Sequence, residues 1–142
     1  QVYGNSMLIK QSLATGQPYS AYGLWFKPGE TNKFFLYPSN CSLKDSSCLV
    51  DQSAVFKEEY TIPNNYIISN LFFYDSSSRS GPDPSYGLQI IFRRQRTEAV
   101  FNLAGKSRAS IEISSRSNTG KVKCVTVYKI GQIVVANGSC PP

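Results

Sequence analysis

Four cysteines (Cys41, Cys48, Cys124 and Cys140) and the arginines of "FRRQRTE" (Arg93, Arg94 and Arg96) are the residues of this 142-residue chain best suited to chemistry. No histidine accompanies them. Without an imidazole there is no conventional Ser-His or Cys-His nucleophile. A zinc site would need thiolates at paired short spacing, which these four do not supply. Their even number points instead to two disulfides and an oxidising compartment. Four cysteines allow three pairings. Each neighbouring pair brackets an element that a bridge would close, so Cys41 with Cys48 and Cys124 with Cys140 is the expected arrangement. Free buried thiols in a cytosolic protein are the plain alternative.

The arginines suggest binding. In an extended segment Arg94 and Arg96 project to one side and Arg93 to the other. With Lys121 and Lys123 they could form a strip for DNA or another anionic polymer. The alternative is a solvated strand end whose arginines meet Glu98 or Glu112, and arginine on an edge also discourages unwanted strand pairing. The net charge of +6 lies within the ordinary range for a soluble surface and does not decide between them. Tyr3, Tyr19, Tyr22, Trp25, Tyr37 and Tyr86 could stack on bases or sugars. A strand-rich domain also needs such rings to fill its core, and Tyr86, inside a Pro/Gly loop, is the one expected at the surface.

Carboxylates offer little. Glu58 and Glu59 are neighbours and face opposite ways in a strand, while Asp45, Asp51 and Asp75 lie in loops without a calcium pattern. No phosphate loop or nucleophile elbow is present. The expectation is a non-enzyme with no cofactor and no metal.

The elements that would position these residues follow from periodicity. Val2, Ser6, Ile9 and Leu13 recur at steps of four, three and four, which predicts a helix over 1–16 that lacks a capping residue at its start. Gly16 and Pro18 end it. "AYGLWF" and "KFFLY" flank the turn residues of "KPGETN" and predict a hairpin. "AVFKEEYTI", "YIISNLFFYD", "LQIIFRRQ", "TEAVFNL" and "ASIEISS" predict further strands. "SSSRSGPDPSYG" is expected to be a surface loop. "KCVTVYK" and "QIVVANG" around Gly131 predict a closing hairpin. About eight or nine short strands and one leading helix, in no βαβ order, imply an α+β domain, a helix packed against antiparallel β-sheets.

This layout resembles the soluble head of a type IV pilin-like protein of the GspH/FimT pseudopilin kind. The resemblance rests on "SMLIKQSLATGQPYSAYGLWF", where a helix passes into "YG-x-x-F". It rests also on "YIISNLFF", on "LQIIF", and on the closing hairpin "KCVTVYKIGQIVV". It implies a single domain over 1–142, with 1–16 the end of the N-terminal helix and 17–142 a β-rich head. It further implies that the apolar first part of the helix lies outside this sequence and would be the only contact with a membrane. The function implied is structural. The chain would be a subunit of a type IV pilus or related pseudopilus, anchored in the membrane before assembly and displayed on the cell surface afterwards. Its partners would be other pilin subunits and the inner-membrane assembly platform, with DNA or a host or surface ligand as further candidates through motility, adhesion or DNA uptake. Some FimT-type members carry Gly-Arg-x-Arg in the closing hairpin, linked to DNA capture; here those positions read Gly131, Gln132, Ile133 and Val134. The rival class is a secreted or surface binding module that recognises DNA or another anionic polymer through the basic strip.

Overall fold

From Ala21 onward, long stretches alternate between side chains that need burial and side chains that tolerate water, a period that suits strands. The computed structural model describes residues 19–41, 47–55, 57–94, 96–117 and 120–142. It contains β1 (Ala21–Phe26), β2 (Lys33–Ser39), β3 (Glu58–Thr61), β4 (Tyr66–Tyr74) and β5 (Arg79–Ser80). These are followed by β6 (Leu88–Arg93), β7 (Ala99–Phe101), β8 (Arg108–Ser115), β9 (Val122–Tyr128) and β10 (Ile133–Asn137). The strands form two five-stranded sheets, ordered β3-β2-β1-β6-β7 and β10-β9-β8-β4-β5, with every pairing antiparallel.

This corrects the expected α+β class. The described residues are all-β, with no helix among them. The predicted helix over 1–16 falls outside the described residues. Among the described residues, apolar side chains pack on both faces of the first sheet. On one face Trp25, Phe35, Tyr37 and Ile91 pack with Val50 and Ala54 from the segment after β2, where the Cys41–Cys48 bridge lies. Gly23 makes this close approach feasible, because a Cβ there would stand 2.7 Å from a Val50 methyl group. On the other face Phe26, Leu88, Ile90 and Phe101 meet Phe73, Ala109, Ile111 and Val127 of the second sheet. Each large apolar side chain so buried contributes about 1.5–3 kcal/mol.

The loop expected over "SSSRSGPDPSYG" contains the two residues of β5, and Trp25 fastens its far end by donating from Nε1 to the Tyr86 carbonyl at 2.6 Å. Within "AVFKEEYTI" only Glu58–Thr61 is a strand.

Candidate functional site

The two sheets meet at one side and part at the other. Leu24 and Phe34 on the inner face of the first sheet, and Ile113, Val125, Ile133 and Val135 on that of the second, line an apolar cleft of about 890 Å³. Its position follows from the sequence. The β9–β10 hairpin carries valine and isoleucine at alternate inward positions, and its last strand is the edge of the second sheet. Consequently Ile133 and Val135 remain 58% and 59% exposed, although their side chains point to the same side as the buried Val127. The lining carries Lys121 and Lys123 and no carboxylate. Lys123 lies directly opposite Asn137 in the hairpin register.

Gly131 lets the turn of this hairpin sit close against a neighbouring segment. Its φ is +99°, and a Cβ on it would lie 1.8 Å from the Thr97 carbonyl oxygen, so glycine is required twice over. The β9–β10 turn therefore rests against the chain entering β7, and the Ala99 N–H donates to the Lys129 carbonyl at 2.8 Å.

That contact decides where the basic residues stand. Arg96 is exposed, 3.7 Å from Glu98, beside the turn end of β9. Arg94 is exposed and its backbone N–H is bound to Ser20, whereas Arg93 closes β6 in a half-buried position. Lys121 and Lys123 are exposed at the other end of β9. From Lys123 to Lys129 the strand rises about 20 Å. The arginines and lysines thus form two groups at opposite ends of β9.

Away from the cleft, the second sheet has a polar outer face fastened by Glu112. Its carboxylate accepts from Asn70 Nδ2 at 2.7 Å, from the Ser69 hydroxyl at 3.1 Å and from the Cys140 backbone N–H at 2.9 Å. Burial alone would raise the Glu112 carboxyl, but these donors and the nearby Arg79 charge outweigh it and hold the group below its ordinary range. Cys140 is bridged to Cys124, so β4, β8, β9 and the C-terminal residues are tied at one place.

A second, polar hollow of about 700 Å³ lies between the segment carrying the Cys41–Cys48 bridge and the Tyr86 loop, lined by Asn40, Asp51, Asp83 and Asn102 among others. Asp51 is committed to structure there: its carboxylate accepts from Tyr19 Oη at 2.8 Å and from Ser53 Oγ at 2.7 Å. Burial pushes its pKa up, and these hydrogen bonds bring it below the ordinary carboxylate value. Among the described residues no cluster of three His, Cys, Asp or Glu side chains could hold a metal ion.

Of the aromatic candidates, Tyr19, Trp25 and Tyr37 are core residues, Tyr22 is half-buried against Phe92, and Tyr86 is 38% exposed. Tyr3 lies outside the described residues. Sequence reasoning missed the cleft. "IVVAN" offered a signal, since it is apolar on both faces of a terminal strand, which a strand with one wet face would not be. No protein-family model matches the chain, and neither does any curated protein or solved structure.

Proposed function

We propose that this chain is the extracellular head of a surface-filament subunit, of the type IV pilin or pseudopilin kind that its motifs resemble, and that it works by protein association without catalysis. The observation that carries this reading is the open cleft. A head closed by two bridges, Cys41–Cys48 and Cys124–Cys140, still leaves apolar residues from both sheets in water, a surface that gains by being covered. The quoted motifs add support, for "YGLWF" runs through β1 and "KCVTVYKIGQIVV" is the β9–β10 hairpin beside that cleft. An apolar segment preceding the head would anchor the subunit in the membrane before assembly. Its partners would then be like subunits, other pilins and the inner-membrane assembly platform.

Recovery of the full-length tagged protein from its native host tests this. Mechanical shearing of whole cells should release it in a high-molecular-mass fraction together with other filament subunits. Finding it only as a free monomer in the medium, or only in the cytosol, overturns the proposal.

A further inference from the structure

Each sheet has two edges, and three of the four are managed. β3 presents Glu58 and Glu59, β5 has two residues including Arg79, and β7 has three residues and is fastened by Lys129. β10 differs. Its five residues, Ile133–Asn137, are all exposed, and carry no charge and no proline.

The free hydrogen-bonding groups of β10 can be assigned. Tyr128 N–H donates to the Gln132 carbonyl and Gly138 N–H to the Val122 carbonyl, both in the β9–β10 register. Antiparallel alternation then turns the N–H and C=O of Val134 and Ala136 toward β9 and those of Ile133, Val135 and Asn137 outward. No described residue pairs with that outward edge. The same three residues aim their side chains at the cleft side, so free backbone groups and apolar groove belong to one surface. Lys123, opposite Asn137, puts a positive charge at one end of it.

We propose that β10 accepts an added strand from another protein: an extended segment with apolar side chains at alternate positions and an acidic residue where it passes Lys123. Backbone pairing with Ile133, Val135 and Asn137 supplies the affinity, and alternate side chains entering the cleft supply the selectivity. Running antiparallel, the segment places its acidic residue beside Asn137, an apolar residue opposite Val135 and another opposite Ile133. The like sign of Lys121 and Lys123, together with the net charge of +6, favours an acidic segment over a second copy of this chain. The inference rests on the association reading above but not on the filament, so failed recovery from sheared cells and failed strand binding are separate results.

The probe is a fluorescent nine-residue peptide of alternating threonine and valine led by two glutamates, titrated into the full chain and followed by anisotropy. Saturable binding is expected, weakened about tenfold or more by Val135→Pro, because proline removes an outward N–H and leaves the β9 ladder intact. Methylating the peptide amides that face β10 should weaken binding by a similar factor without altering the protein, which covers the case of a variant that fails to fold. Lys123→Glu should weaken it several-fold. Hydrogen exchange at Ile133, Val135 and Asn137 should slow when peptide is added. Equal binding of the methylated peptide, or of a peptide with the same residues shuffled out of alternation, overturns the proposal. So does sedimentation as a dimer that Val135→Pro dissociates, which would assign the edge to a second copy.

Discussion

The carboxylate of Glu112, in the middle of β8, accepts a hydrogen bond from the backbone N–H of Cys140, a residue 28 positions later in the chain. With Ser69 and Asn70 on its other side, this one charge joins the central strand of the second sheet to a neighbouring strand and to the C-terminal bridge. Glu112 was read from the sequence only as a partner for arginine, and its contacts are instead mostly neutral donors.

Losing this acceptor leaves the buried Cys140 N–H without its partner and frees the Ser69 and Asn70 side chains. Glu112→Ala should destabilise the fold by about 1–3 kcal/mol, read as a lower denaturant midpoint with unchanged slope. The sign of the pH effect follows from the lowered pKa. Stability from ionised Glu112 is fully present above its unfolded value and is lost as pH falls through the lower folded value. The wild-type melting temperature should therefore drop on acidification below about pH 4.5, and the drop should be smaller in Glu112→Gln. An equal drop in both proteins would remove Glu112 from this role.

Removing the bridges should have graded effects. In the chain-entropy treatment the Cys124–Cys140 bridge, with a separation of 16, contributes about 3 kcal/mol, and Cys41–Cys48, with a separation of 7, about 2.5 kcal/mol. Glu112→Ala combined with loss of the Cys124–Cys140 bridge should be non-additive, since Cys140 belongs to both interactions. Combined with loss of the Cys41–Cys48 bridge it should be additive. Denaturant titrations of the three single and two combined variants check this.

Two glycines separate conformational strain from crowding. Gly131→Ala must displace the Thr97 carbonyl and should cost at least about 2 kcal/mol. Gly105 has φ +81° with nothing near its missing Cβ, so Gly105→Ala should cost about 1 kcal/mol. Similar melting temperatures for the two variants would contradict the close packing of the β9–β10 turn on the β7 approach.

Division of the basic residues limits any binding to DNA. The three arginines alone give a slope of log affinity against log salt no steeper than about −3. Lys121→Ala and Lys123→Ala should leave that slope unchanged. A slope near −5 that both lysine variants reduce would show the five cations acting as one strip.

The sequence by itself determined the first and last hairpins, for a physical reason: alternation of "AYGLWF", the turn residues of "KPGETN" and the glycine between "KCVTVYK" and "QIVVANG" are local, and local sterics suffice to make a hairpin. It did not determine the class. A helical period over 1–16 led to α+β, and only the assembled sheets showed the described residues to be all-β, with β4 and β8 packed on one face of the first sheet and the Val50 segment on the other. Periodicity says which side of a strand wants burial, not what will bury it. For the same reason the separation of Arg96 from Lys123 and the open edge of β10 were out of reach, since both depend on which strand lies beside which. Those are relations across long stretches of chain, and only tertiary structure decides them.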